Sequence, residues 1–316
     1  MPSSGTTAPR VLEKPDTRGH RGCMPSGTER PIRPDETSGV LHPDNLTRYD
    51  ARWIDPDPAV RDVVDQYWHV RWRLDPDESI AQTIVDLPAV TLTIETGDVP
   101  AALVVTGLHH GAWRRRISGS GDVFAIRLRP AGLGVLGSLR PQDVADAEVP
   151  LTAGLDDRLY ALMTRLADER SAEARARAAD VLIADRLRDH PPPAAHLLAN
   201  QALDELRARA YRRTGTPLSA HLGVSERSVQ RALAATLGIG PKQAARRIRL
   251  QEAARAVAVH GDDLAEIAVE LGYADQAHLT SDFREATSTT PGAYRRELQR
   301  LATGSRPVQR QSGNAL

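Results

Sequence analysis

Between residues 67 and 129 apolar and polar positions alternate over short runs separated by turn residues. Tyr67–Leu74, Ile80–Leu87, Val90–Thr96, Leu103–Leu108, Trp113–Ser118 and Val123–Arg129 are rich in β-branched or aromatic side chains. Asp75-Pro76, Gly97-Asp98 and Gly119-Ser120-Gly121-Asp122 supply the turns. Short strands at this spacing predict a small β-barrel or sandwich. The period then lengthens to that of a helix. Leu155, Leu159, Leu162 and Leu166 share one face of Leu155–Leu166, and Ala179, Leu182, Ile183 and Leu187 line Ala172–Leu187. This amphipathic pair suits the end of a barrel or a dimer seam. Pro191-Pro192-Pro193 breaks the helix and marks a domain boundary.

Beyond the prolines every apolar run is helical. Ala194–Arg213 carries Leu197, Leu198, Leu203 and Leu206 on one side. Thr216 precedes Pro217 as a cap with proline at the first helical position, and Gly223 permits the turn after Leu218 and Leu222. Ser225 caps Glu226–Leu237. Gly240-Pro241 opens a longer helix, Lys242–Val259, about 27 Å long, and Gly261 is placed to close it. Asp263 with Glu266 forms a capping-box start, Asp275 caps the next helix after a turn at Tyr273-Ala274, and Thr290-Pro291 begins the last. Seven helices in this order make two helix-turn-helix units, Leu218–Leu237 and Ile267–Phe283, bridged by the long helix.

Composition narrows the class. The chain has 316 residues, 41% hydrophobic and 26% charged, which fits two soluble domains. No run approaches eighteen consecutive apolar residues, the N-terminus has no secretory pattern, and a single cysteine excludes an internal disulfide or a Cys-rich zinc site. A cytoplasmic protein without a membrane span is expected. Residues 1–44, rich in Pro, Gly, Ser, Thr and Arg, are expected to form a disordered tail, as are residues 301–316. His20 and Cys23 are inert within that tail. The remaining divisions are a β-rich domain over 45–152, the helical pair and linker over 153–193, and the helix-turn-helix domain over 194–300. Net charge is zero, yet residues 194–316 hold 17 Lys/Arg against 12 Asp/Glu while residues 1–193 hold 24 against 29. That asymmetry is compatible with a polyanion bound by the C-terminal part.

With these motifs in place, residues 195–300 resemble the DNA-binding domain of AraC/XylS-type transcriptional regulators. The first unit carries LGVSERSVQRAL, Gly238-Ile239-Gly240-Pro241, Arg249-Leu250 and Ala253. The second carries Leu264, Ile267-Ala268, Gly272-Tyr273, Gln276, His278-Leu279, Phe283, Pro291 and Tyr294-Arg295. The β-rich segment, through VFAIRLRPAGL, resembles the sensor domains that precede such units, which implies a cupin-like barrel and a multidomain α+β chain. Three positions depart from the family pattern. Ser281 stands where an arginine is usual, Ser288 where a glycine ends the helix, and Ala244-Ala245 replace an aromatic-aliphatic pair. The resemblance implies double-stranded DNA as partner, RNA polymerase, a small-molecule effector and a second copy of the chain as further partners, and no cofactor.

Within this frame Glu226, Arg227, Gln230 and Arg231 face outward from the first recognition helix, because Val229 and Leu233 must face the core. Glutamate accepts from cytosine, glutamine pairs with adenine, and arginine suits guanine or phosphate. Gln276, Ala277, His278 and Ser281 face outward from the second helix, with Arg284 available to phosphate and Leu279 and Phe283 buried. The second unit carries the poorer contact set, so an asymmetric reader is expected. Arg246, Arg247 and Arg249 on the bridging helix are candidates for DNA-backbone contacts or salt bridges between the units.

Two rival classes deserve weight. A cupin-like metal-dependent enzyme would need clustered ligands, but His109 and His110 as strand neighbours point apart and His69 lies in another strand. No nucleophile-elbow, Walker A or dinucleotide-binding motif accompanies them. The other rival is an interaction protein that keeps the fold without reading DNA, favoured only by Ser281 and Ser288. Arg114 and Arg116 share one strand face and Arg127 and Arg129 another. Were those faces to meet they would line an anionic effector site; a solvated outer face is the plainer expectation.

Overall fold

The computed structural model describes residues 29–31, 39–211, 216–259 and 263–303. The strands are β1 (Glu29–Pro31), β2 (Tyr49–Ile54), β3 (Val64–Arg73), β4 (Ser79–Ile84), β5 (Thr91–Gly97), β6 (Leu103–Thr106), β7 (Trp113–Ser118) and β8 (Ser120–Leu128), followed by helix α1 (Gly132–Leu136) and strand β9 (Glu148–Pro150). They form a seven-stranded sheet, ordered β1-β2-β3-β8-β5-β6-β9, and a two-stranded sheet, β4-β7, with antiparallel pairing throughout.

Period-two alternation gives the large sheet two different faces. Tyr67 pairs with Ile126, and Ile126 with Leu92, so these side chains share one face. All three are fully buried, and Tyr67 stacks on Phe124 with ring centroids 5.7 Å apart. Helices α2 (Asp157–Ala167) and α3 (Ala172–Asp189) cover this face with Leu159, Met163 and Ile183. The opposite face carries Trp68, Val70, Thr93 and Glu95, and looks across a cavity at Ile84, Trp113, Arg115 and Ile117 of the small sheet. Gly121 is needed on this side, because a Cβ there would stand 2.1 Å from the Trp72 ring.

The expected strands are present with ends shifted by a few residues, and β1, β2, β9 and α1 were not anticipated. β1 and β9 have three residues each, and β2 reads YDARWI, in which Asp50 and Arg52 dilute the apolar signal. The 1–44 boundary is therefore corrected. Residues 29–31 pair with β2, and Leu41, 1% exposed, is packed in a core shared with the C-terminal helices. His20, Cys23, Gly261 and residues 304–316 lie outside the described residues.

Among the described residues the C-terminal half holds seven helices: α4 (Ala194–Ala208), α5 (Leu218–His221), α6 (Glu226–Leu237), α7 (Pro241–Val259), α8 (Leu264–Glu270), α9 (Gln276–Thr287) and α10 (Pro291–Ala302). α4 ends at Ala208, short of the expected Arg213, and Pro217 rather than Thr216 occupies the N-cap of α5, with no side-chain cap. Ser225, Asp263, Asp275 and Thr290 each accept from a backbone N–H of the first turn, as expected, although Asp263 caps through the Ala265 N–H and does not form the expected capping box with Glu266. Capping of this kind satisfies amide donors that no helical carbonyl reaches, which is why the starts were readable locally.

The two halves share their cores. Val229, Leu233 and Ile248 cluster with Leu108 of the β domain, while Leu250, Leu279, Phe283 and Tyr294 cluster with Leu41, Val85 and Ala112. The Ala112 N–H donates to the Ala286 carbonyl at 2.8 Å, so a β-domain loop end is tied to the last turn of α9.

Candidate nucleic-acid interface

α6 and α9 occupy equivalent places in two similar helix pairs. In each, the side chains spaced to meet the core are buried: Val229 and Leu233 on α6, Leu279 and Phe283 on α9, none more than 2% exposed. The opposite faces are open. Glu226, Arg227, Gln230 and Arg231 are all exposed on α6, and Gln276, Ala277, His278, Ser281 and Arg284 are all exposed on α9. The turn before α6 passes through Gly223 at φ +66°, and that before α9 through Gly272 at φ +75°, a backbone region that disfavours any side chain.

The two faces differ in chemistry. Among the described residues no ion pair engages Arg227, Arg231 or Arg284, so their guanidinium groups remain available to an anion. The Gln230 amide lies close to Gly240, in the turn between α6 and α7. On α9 His278 is partly committed. Its Nδ1 accepts from the Ala274 N–H at 3.4 Å, and its ring meets Tyr273 edge-on at 5.2 Å. α9 thus presents fewer free donors than α6.

α7 spans 19 residues, about 28 Å, between the two units. Arg246 pairs with Asp282 of α9 at 2.6 Å and with Glu285 at 3.0 Å. Burial opposes its charge, and the two carboxylates outweigh that and raise its pKa. Asp282 also accepts from the Tyr273 hydroxyl at 2.9 Å, and Arg249 lies over the Tyr273 ring at 5.3 Å. Arg247 turns the other way. It donates to the Asp86 carbonyl at 3.0 Å and to the Gly111 carbonyl, both in the β domain. Of the alternatives raised for these arginines, Arg246 makes a bridge between units, whereas Arg247 joins the β domain, a role outside both alternatives.

The four arginines considered for an anionic lining are not brought together. Arg114 donates to the Ser288 hydroxyl at 2.9 Å and Arg116 to the Ser79 hydroxyl at 2.8 Å, both on the outer side of the small sheet. Arg127 pairs with Asp65 and Asp86, and Arg129 with Asp204. Arg127 lies on the side of the large sheet that faces the small sheet, over the Trp68 ring, but Arg114 and Arg116 point to the far side of the small sheet, so the two pairs do not meet. The inward residue is Arg115, which shares its face with Trp113 and Ile117; that alternation was present in the sequence. It forms a two-pronged pair with Glu95 at 2.9 and 2.6 Å. His109 and His110 lie in a loop, not a strand, but still diverge. His110 meets Asp146, while His109 borders the cavity. His69 is bound to Asp122 at 2.8 Å. No cluster of metal-ligand side chains occurs among the described residues.

The model of a helix-turn-helix domain matches residues 218–297. Residues 218–297 are a helix-turn-helix domain of the AraC type. This domain class is that of DNA-binding transcription regulators. Residues 52–150 match a domain of unknown function, DUF6597. No curated protein matches the chain significantly. Among solved structures, the C-terminal domain of AraT, a response regulator from Geobacillus stearothermophilus, aligns at 22% identity over 37% of this chain and 93% of its own, with a TM-score of 0.30. ToxT from Vibrio cholerae aligns at 8% identity over 73% of this chain and 98% of its own, with a TM-score of 0.39. No helix among the described residues is long and apolar enough to cross a membrane.

Proposed function

We propose that the chain is a transcriptional regulator that binds double-stranded DNA sequence-specifically, with α6 and α9 entering successive major grooves. The observation that carries this reading is the pair of capped helices in the helix-turn-helix domain, each with a buried apolar face and an exposed polar one. A 28 Å bridging helix is of the order needed to set two recognition helices about one turn of DNA apart. Glu226, Arg227, Gln230 and Arg231 carry most of the base readout, and α9 mainly holds register through Gln276, His278, Ser281 and Arg284. Ala277 offers apolar contact, suited to a thymine methyl.

The β domain controls this activity through a small-molecule effector or through pairing with a second copy, and RNA polymerase is the downstream partner. Cytoplasmic action follows from that role. The shared cores between the β domain and both helix-turn-helix units support this control, because a change in one packs directly against the other.

Selection of bound sequences from random duplex DNA at low salt tests the proposal. A preferred site should emerge, and Arg227→Ala or Gln230→Ala should relax preference at one or two of its positions. Absence of any preferred site overturns the reading.

A further inference from the structure

The cavity between the two sheets has a volume of about 190 Å³. An apolar cavity of about 150 Å³ suffices to hold a benzene ring. Trp68, Trp72 and Trp113 line it, three of the four tryptophans in the chain. Flat indole walls favour a flat aromatic guest, through stacked or edge-on contact.

The polar groups on its wall are unequally satisfied. Arg115 is neutralised by Glu95, which also accepts from Thr93 at 2.9 Å. Glu148 is engaged by the Trp113 indole at 2.9 Å, and Asp86 by Arg127 at 3.1 Å. Asp146, near the same end, is held by His110. Two groups are left over where α7 meets the cavity. Arg247 is 6% exposed and, among the described residues, has only backbone carbonyls as partners, so its charge faces no described carboxylate at ion-pair distance. The buried Nε2 of His109 has no hydrogen-bond partner among the described residues. Burial lowers the pKa of both. A buried cation beside an unsatisfied imidazole nitrogen is costly, and an anion that binds both removes the cost.

We propose that this cavity binds a small aromatic carboxylic acid, its ring among the tryptophans and its carboxylate on Arg247 and His109. The proposal rests on the reading of the chain as an effector-controlled regulator and names the effector's class. It also gives the signal a route. The carboxylate competes with the Asp86 and Gly111 carbonyls for Arg247. The neighbouring Arg246 grips α9, so exchange of the Arg247 partners moves a helix that positions a recognition helix.

Intrinsic tryptophan fluorescence and thermal melting of the full chain test this with benzoate, phenylacetate and indole-3-acetate, against benzamide, phenylacetamide and benzylamine. The acids should quench fluorescence and raise the melting temperature, with affinity about tenfold or more above the amides, as a charge-assisted contact predicts. Arg247→Met should erase the preference for acid over amide, and Arg247→Lys should retain part of it. Ile117→Trp, which fills the cavity from the β domain, should abolish binding of acids and amides alike and serves if Arg247→Met does not fold. An acid should also change affinity for the selected operator by about fivefold or more, and not in Ile117→Trp.

Equal affinity for acids and amides, preference for the amine, silence with every probe, or undiminished acid binding in Ile117→Trp overturns the site. Operator binding by the ligand-free chain is read in the same preparation. An operator bound normally alongside any of these results sinks the effector site alone, whereas failure to bind any preferred DNA sinks the regulator itself.

Discussion

Arg246 and Arg247 are consecutive on α7 and hold opposite sides of the molecule. Arg246 grips Asp282 of α9 at 2.6 Å, and Arg247 reaches the Asp86 carbonyl of the β domain at 3.0 Å. Successive side chains on a helix diverge by about 100°, so one straight element serves both directions. The bridging helix is therefore a shared support rather than a spacer alone.

Removing Arg246 leaves Asp282, 9% exposed, with the Tyr273 hydroxyl as its remaining partner. Arg246→Ala should cost about 1–2 kcal/mol, below the figure for a fully buried pair because the Arg246 side chain is partly solvated. Chemical denaturation gives the loss, and hydrogen exchange should show α9 opening before α6. Equal exchange in both helices would place the bridge elsewhere.

Ser288 ends α9 in the left-handed region at φ +64°, where a glycine carries no steric penalty. Its hydroxyl accepts from Arg114, a contact between the domains. Ser288→Gly should relieve roughly 1 kcal/mol of backbone strain and loosen the β domain from α9. The expected signature is an unchanged or higher melting temperature together with faster exchange at residues 112–116. A lower melting temperature would mean the hydroxyl contact outweighs the strain.

Leu233 is fully buried beneath α6. Leu233→Ala should cost about 2–5 kcal/mol through lost burial and the cavity left behind. Ala277→Ser, on an exposed face, should change stability by no more than about 0.5 kcal/mol. Denaturant midpoints of the two variants check the contrast between the faces of the recognition helices.

His109 gives a pH dependence of defined sign. Burial lowers its folded-state pKa below the ordinary 6.5, with Asp146 acting against that shift and Arg247 adding to it. Below pH 6.5 the unfolded chain takes up a proton that the folded chain resists, so the contribution is full above 6.5 and declines as pH falls through it. His109→Gln should flatten the stability profile over that window. Melting temperatures measured from pH 5 to pH 8 would reveal it, and an unchanged slope would exclude His109 as its source.

In DNA binding, Arg227→Ala and Arg231→Ala should each weaken operator affinity more than Ser281→Ala. A substitution that removes a phosphate contact should also lower the salt slope by about one. Filter binding across a salt series checks this, and equal losses from α6 and α9 would end the asymmetric reading.

Much of the helix-turn-helix domain was legible in the sequence. Ser225, Asp263, Asp275 and Thr290 announce helix starts because each satisfies amides within three residues of itself. Val229, Leu233, Leu279 and Phe283 reveal the buried faces by period, and the exposed faces follow by elimination. The six central strands were readable for a similar reason, since alternation is local. Short strands such as β1 and β9 were not, because three residues carry too little pattern.

The sequence by itself determined that two capped helices would turn polar faces outward, since capping and periodicity act over a few residues. Only the tertiary structure decided what the arginines do. The Arg247 contact with Asp86 spans 161 residues of chain, and that of Arg114 with Ser288 spans 174. At such separations no local periodicity records the partner; it is fixed by how the two sheets and the bridging helix pack. The same packing turned Arg115 inward and Arg114 and Arg116 outward, and so placed the cavity against the DNA-binding domain.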